Sequence, residues 1–85
     1  MKMNASMELQ DFVSMAVCGL CDDPTSVKTK ISPIGETLIH IQVNCSQDDI
    51  RKVIGSKGRN IEAIRVIVAA ISSKHKIKSI LGIDG

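Results

Sequence analysis

Two glycines three residues apart, Gly55 and Gly58, interrupt a long apolar pattern and constrain what this chain can fold into. Apolar residues recur at helical spacing before them, at 50, 53 and 54, and after them, at 61, 64, 67, 68 and 71. The pattern predicts a short helix over about 48–54 and a longer one over about 59–73, joined by a tight loop. Gly55 suits the positive φ that ends a helix, and Gly58 lets a foreign backbone approach without meeting a Cβ.

The loop is the most basic stretch of the chain. Arg51, Lys52, Lys57 and Arg59 surround it, and residues 51–59 contain no acid. The net charge is only +2, but residues 51–85 hold eight of the eleven basic side chains. The second helix also directs its N-terminal amides toward the loop, which favours a bound anion. Together these features predict a phosphate-binding site.

The first half of the chain predicts a helix followed by two strands. Apolar residues at 9, 12, 13, 16, 17 and 20 indicate an amphipathic helix that turns Glu8, Asp11 and Ser14 to solvent and ends between 19 and 24. Residues 26–32 alternate as a strand, 32–35 form a turn, and 37–45 form a stronger strand whose odd positions face the core. Residues 46–49 then supply the cap and first-turn acids of the short helix.

The alternation at 77, 79, 81 and 83 predicts a final strand, so the element order is α-β-β-α-α-β. The short turn makes the first two strands antiparallel, while the two-helix crossover returns the third strand parallel to the second. We therefore expect one α+β domain over residues 1–85, with a three-stranded mixed sheet, three helices on one face and a disordered start over about 1–5.

Cysteine usage and composition exclude several functions. The three cysteines are an odd number, and the pair Cys18 and Cys21 ends a helix instead of opening one, so we expect no disulfide, redox or zinc site and no cofactor. There is no catalytic triad, and the glycine spacing differs from that of a nucleotide-binding P-loop, so no enzyme and no small-molecule substrate are expected. No secretion signal or membrane span is visible, which predicts a cytoplasmic protein without membrane contact.

The run Val53-Ile-Gly-Ser-Lys-Gly-Arg59, followed by Ala63-Ile-Arg65, resembles the KH domain, in which an Ile-Gly-x-x-Gly loop joins two helices and clamps nucleic-acid backbone. The element order resembles the type II KH fold, and the whole chain resembles the small single-domain bacterial KH proteins of the KhpA family. Members of that family commonly carry a lysine directly after the first glycine, where this chain has Ser56 and places Lys57 second.

The resemblance and the charge pattern together predict a non-catalytic protein that binds single-stranded RNA, acting as an RNA chaperone or post-transcriptional regulator. We expect the backbone to be held at the loop and the bases to lie in an aliphatic groove between the two helices. Phe12 is the only aromatic residue, which excludes RRM and OB-type stacking surfaces. The predicted RNA-binding residues are Arg51, Lys52, Val53, Ile54, Gly55, Ser56, Lys57, Gly58, Arg59, Ile61, Ile64 and Arg65.

Two other functions fit the same residues. Two helices joined by a short glycine-bearing turn also fit a helix-turn-helix DNA-binding motif, in which Asn60, Glu62 and Val66 would face the bases. The KhpA resemblance further implies pairing, either as a homodimer or as a heteromer with a larger Jag-like KH protein, also called KhpB.

Overall fold

The computed structural model describes residues 4–84, which fold in the predicted order. The helices are α1 (Ala5–Leu20), α2 (Ile50–Ile54) and α3 (Arg59–Lys74), and the strands are β1 (Lys28–Ile34), β2 (Leu38–Asn44) and β3 (Lys78–Asp84). Short 3-10 turns lie at Pro24–Ser26, Gln47–Asp49 and Ser56–Gly58. The last of these turns is the loop between α2 and α3.

The sheet has β2 at its centre, antiparallel to β1 and parallel to β3. Because the register places Ile31, Ile41 and Leu81 side by side, each strand presents its alternate apolar residues to the same face. The opposite face carries Lys28, Lys30, His40, Gln42, Asn44, Lys78 and Ile80, which are half-buried or exposed. This confirms the predicted three-stranded mixed sheet.

All three helices cover the apolar face of the sheet and share one core with it. α1 contributes Leu9, Val13 and Val17, each at most 1% exposed, and α3 contributes Ile61, Ile64 and Val68. Val53 is the fully buried anchor of the five-residue α2. An isolated helix of that length would not be stable in water, so α2 depends on its packing against α1 and α3.

The start of the chain is more regular than the sequence suggested. Residues 1–3 lie outside the described residues, but Asn4 caps α1 by accepting a hydrogen bond from the Met7 amide at 2.8 Å, and Ala5 is already helical. Of the start that was predicted to be disordered, the structure describes Asn4 as a helix cap and Ala5 as the first residue of α1.

The hairpin turn falls later than predicted. β1 continues to Ile34, and the turn occupies 35–37, where Gly35 has φ +71°. Pro33 is accommodated inside β1 because this is an edge strand, where the missing backbone donor is tolerated.

Two side chains of α1 that were expected to face solvent instead make tertiary contacts. Glu8 is bonded to Lys74 and, at 2.8 Å, to His75 Nε2, at the far end of α3. Ser14 donates its hydroxyl to Thr29 Oγ1 of β1 at 2.9 Å. Only Asp11 of the three is fully exposed.

Candidate nucleic-acid interface

Gly55 ends α2 with φ +79° and ψ 169°, and its amide donates to the Arg51 carbonyl at 2.8 Å. A Cβ at this position would lie 2.7 Å from Asn60 Cγ and 2.9 Å from the Asn60 amide nitrogen. Glycine is therefore required at position 55 for two reasons: the backbone has a positive φ, and Asn60 fills the space that a Cβ would need.

Gly58 lies on the open side of the loop. It has φ +73°, and a Cβ added to it would meet nothing within 4 Å. Lys57 also has positive φ, at +58°, so two successive residues adopt the left-handed conformation and turn the loop outward. Ser56 and Lys57 are exposed, and a ligand backbone can reach Gly58 without a steric barrier.

Some of the amides expected to meet a ligand are used by the loop itself. The Gly58 amide donates to the Gly55 carbonyl at 3.0 Å, and the Arg59 amide donates to the Ser56 carbonyl. Gly58 is the N-cap residue of α3 and provides no side-chain cap, so the positive end of the helix dipole remains directed at the loop.

The five predicted basic residues divide into two groups. Arg51, Lys57 and Arg59 are exposed, and within residues 4–84 they form no salt bridge. Lys52, in contrast, is hydrogen-bonded to Asp22, which raises the pKa of its ammonium group, and lies 3.7 Å from Asp49. Arg65 donates to the Leu81 carbonyl of β3 at 3.2 Å, away from the loop. The cations concentrated at the loop are therefore Arg51, Lys57 and Arg59.

The predicted groove between the two helices is closed. Val53, Ile61 and Ile64 are 0%, 6% and 5% exposed, because they form the contact of α2 and α3 with the core. In this fold the three side chains pack inward and do not line an open surface, and their contact with RNA stays a prediction. Ile54 is half-buried and keeps part of its side chain beside the loop.

An open cleft lies instead between α3 and the free edge of β3. It has a volume of about 410 Å³. Six residues line it, of which Val68 and Leu81 are buried: Arg65, Val68, Ala69, Ser79, Ile80 and Leu81. Arg65 lies six residues after Arg59 on the same helix, about 9 Å along its axis, so the cleft begins close to the loop.

Two residues that shape the site were not identified from the sequence. The Asn60 side chain donates through Nδ2 to the Lys52 carbonyl at 2.8 Å, so it links α3 to α2 and does not face outward as the helix-turn-helix interpretation required. Asp49 was expected to be a first-turn acid, yet it is 1% exposed and accepts from the amides of Asp22 and Asp23 at 3.1 and 3.0 Å and from Ser46 Oγ. Those two amides, followed by Ser46, hold the pKa of Asp49 below its ordinary value.

The three cysteines are free thiols, of which Cys45 is buried and Cys18 and Cys21 are half-buried. Burial raises the pKa of Cys21 to about 11, and burial likewise raises the pKa of Cys45, so both thiols stay protonated at neutral pH. Among residues 4–84, no group of three or more His, Cys, Asp or Glu side chains is arranged to hold a metal ion. No helix in this part of the chain is long and apolar enough to cross a membrane.

Comparison with known proteins identifies the family. "RNA-binding protein KhpA" of Chlamydia caviae is 32% identical over 70 residues, which cover 82% of this chain and 88% of the relative. The protein of the same name from Halalkalibacterium halodurans is 37% identical, covering 80% and 84%, and that of Streptococcus pneumoniae is 34% identical, covering 80% and 85%. No solved structure gave a significant match. A family model described as "KhpA/KhpB, KH domain" matches residues 10–83, and the chain therefore belongs to the KhpA/KhpB family of KH domains.

Proposed function

We propose that this protein binds single-stranded RNA by holding the sugar-phosphate backbone at the loop Gly55–Gly58. The observation that carries the proposal is the open approach to Gly58, where a Cβ would meet nothing within 4 Å, beside Lys57, Arg59 and Arg51, which form no salt bridge among the described residues 4–84. Charge-assisted contacts of this kind bind phosphate strongly and without reading sequence. Three curated relatives carry the name "RNA-binding protein KhpA", which supports RNA as the ligand.

The bases occupy the cleft between α3 and β3 in this proposal. The exposed residues at this cleft are Arg65 and Ala69 of α3 and Ile80 on the edge strand, whereas Val68 and Leu81 are buried. Ala69 and Ile80 offer apolar contact, and Arg65 and Ser79 offer hydrogen-bonding groups. Aromatic stacking contributes about 1–3 kcal/mol per base in other modules, and Phe12, on α1, does not line this cleft. We therefore expect a single copy to bind weakly, with Kd of roughly 10⁻⁴ to 10⁻⁶ M.

The family is a class of non-catalytic binding domains, so the protein is not an enzyme. We propose that it acts on RNA in the cytoplasm as a chaperone or post-transcriptional regulator. A loop that binds backbone without reading bases suits a protein that contacts many RNAs, and target choice would then depend on a partner or on a second copy.

The proposal is tested by replacing Ser56 and Lys57 together with aspartate. The double variant should lose binding to single-stranded RNA, because two negative charges then face the phosphates, while circular dichroism shows an unchanged fold. A matched control is Lys30→Asp with Ser32→Asp, which makes the same change of charge on the outer sheet face, away from the loop. A folded loop variant that binds RNA as well as the wild type contradicts the proposal.

A helix-turn-helix DNA-binding role is the second candidate, since α2 and α3 are joined by a short turn. Near its start, the exposed side of α3 carries the apolar residues Ala63, Val66 and Ile67, so Glu62 is left as the one residue named for base contact that is both exposed and able to form a hydrogen bond. Competition between single-stranded RNA and duplex DNA for the same protein separates the two functions.

We also propose that the protein pairs, either with itself or with a KhpB-like KH protein. The observation that favours pairing is the apolar exposed side of α3, where Val66 is 62% and Ile67 46% exposed. Light scattering on the isolated chain distinguishes the two partners, because a stable homodimer would show twice the monomer mass. Val66→Lys together with Ile67→Lys should then restore the monomer.

A further inference from the structure

The C-terminal end of α2 has carbonyl groups that no amide within the helix can satisfy. The helix contains only five residues, and the carbonyls of its last turn have no partner within the helix. The Gly55 amide satisfies the Arg51 carbonyl at 2.8 Å. The next carbonyl, that of Lys52, is satisfied from outside the helix by Asn60 Nδ2, also at 2.8 Å.

Asn60 reaches that carbonyl because Gly55 has no side chain. The second residue of α3 turns back across the loop, and its Cγ lies 2.7 Å from the position that a Cβ on Gly55 would occupy. The absence of a side chain at 55 and the amide side chain at 60 are therefore complementary. Together they bring the end of α2 against the beginning of α3, with only the four residues 55–58 between them.

The enclosed residues adopt a conformation that needs such support. Lys57 and Gly58 both have positive φ, and lysine reaches that region only at a cost in free energy. A loop whose two ends were free to separate would relax away from it. We infer that Asn60 is a positioning residue for the RNA-binding loop, which keeps Ser56, Lys57 and Gly58 in the outward conformation through its hydrogen bond to Lys52. The inference rests on the proposed function, and Asn60 is not assigned a contact with RNA.

The hydrogen bond to Lys52 depends on the type of side chain at position 60. Asparagine supplies a donor at the required reach, whereas alanine supplies none and the serine hydroxyl is too short to cross to Lys52. The Lys52 ammonium group is in turn bonded to Asp22 and lies near the buried Asp49. The end of α2, which Asn60 holds through its hydrogen bond to the Lys52 carbonyl, is thereby also bonded to the connection between α1 and β1.

The test compares the wild type with Asn60→Ala and with Asn44→Ala, which removes an exposed asparagine from the outer sheet face. The probe is a fluorescein-labelled oligouridine of about ten nucleotides, longer than the four that a KH loop clamps. Asn60→Ala should weaken binding about tenfold and Asn44→Ala should leave it unchanged. The Gly58 and Arg59 amides close the loop through their hydrogen bonds to the Gly55 and Ser56 carbonyls. Hydrogen exchange of these two amides, measured without RNA, should become faster in Asn60→Ala alone.

A double-mutant cycle then shows whether Asn60 acts through the loop. Because a relaxed loop no longer presents Lys57 correctly, Lys57→Ala should cost less affinity in the Asn60→Ala background than in the wild type. If Asn60→Ala does not fold, Asn60→Ser is measured in its place with the same expectations.

The outcomes separate the inference from the proposed function. If the wild type binds the RNA and Asn60→Ala binds it equally well, the positioning role is refuted and the RNA-binding function stands. The same conclusion follows if Asn60→Ala binds less well but its loop amides exchange at the wild-type rate and the losses of affinity from Asn60→Ala and Lys57→Ala are additive. If the wild type does not bind the RNA at all, the proposed function fails and the inference fails with it.

Discussion

Gly55 and Gly58 look alike in the sequence but carry different constraints in the fold. Both have positive φ, yet a Cβ on Gly55 would collide with Asn60, whereas one on Gly58 would project into open space. Gly55 is therefore needed by the protein itself. Gly58 is needed far less for stability, which leaves its open surface available to a ligand.

The two alanine substitutions should differ accordingly. Gly58→Ala should lower the free energy of unfolding by about 1–2 kcal/mol, the cost of a left-handed conformation for alanine. Gly55→Ala should cost more than that, because φ +79° with ψ 169° is a region essentially confined to glycine and because the new Cβ would overlap Asn60. Urea denaturation at constant pH measures both, and equal losses for the two variants would contradict the structural distinction.

At the scale of elements, a single buried carboxylate holds the beginning of α2. Asp49 accepts two backbone amides from the connection between α1 and β1, at 3.1 and 3.0 Å, and so joins segments that are 26 and 27 residues apart. Without it, these amides would lose their partner at the edge of the core. The position of the loop after α2 depends on this attachment.

Asp49→Asn should therefore destabilise the fold although it preserves the shape of the side chain. The Asp22 and Asp23 amides each donate to a different oxygen of Asp49, so the NH₂ group of asparagine would replace one of these acceptors and face a backbone amide that is itself a donor. We expect the melting temperature to fall by about 5 °C or more. The neighbouring Asp48 is exposed, so Asp48→Asn is the matched control and should change the melting temperature little.

α1 and α3 are also joined by a charged contact, in which Glu8 meets Lys74 and His75. The hydrogen bond from Lys74, followed by that from His75, lowers the pKa of Glu8 below its ordinary value of 4.5. Because the folded-state pKa lies below that of the unfolded chain, the contribution of Glu8 to stability is fully present above the unfolded value and is lost as the pH falls through the folded value.

Comparison with Glu8→Gln tests this contact. The wild type should be the more stable protein near pH 6, and its advantage should shrink toward zero as the pH is lowered to about 3. Glu36→Gln, in the exposed hairpin turn, should show no comparable dependence. A constant difference between wild type and Glu8→Gln across this range would show that the carboxylate charge does not matter.

The helices, the strands and the loop could be predicted from the sequence because each is determined by residues that are close together in the chain. Periodicity placed the helices and strands within a few residues, and the glycine spacing located the loop, because each depends on neighbours in the chain. The contacts of Glu8, Asp49 and Asn60 join residues 67, 27 and 8 positions apart, so no local pattern reports them. Helical spacing shows that Ile61 and Ile64 share one side of α3, but it does not show which other element covers that side. This is why we expected them to line a groove, whereas they pack into the core.

For the molecule as a whole, the distribution of charge sets how RNA binding should respond to salt. Three unpaired cations, Arg51, Lys57 and Arg59, surround the loop, while Lys52 is neutralised by Asp22 and Asp49. Binding by this surface is therefore expected to depend on about three phosphate contacts.

A plot of log K against log salt concentration should have a slope of about −2, from roughly −0.7 for each phosphate of a single strand. Lys57→Ala should make the slope less steep by about 0.7, and Lys28→Ala, on the outer sheet face, should leave it unchanged. Fluorescence anisotropy with labelled RNA over a series of potassium chloride concentrations measures these slopes. A slope near zero would mean that phosphate contacts do not drive binding.

The sheet has two open borders, and each is partly blocked. Pro33 of β1 has no backbone N–H group to donate, and the Leu81 carbonyl of β3 already accepts a hydrogen bond from the Arg65 guanidinium. Exposed strand borders are where separate molecules join into fibrils, so a proline on one side and a cation on the other protect this small domain from aggregation when it is crowded.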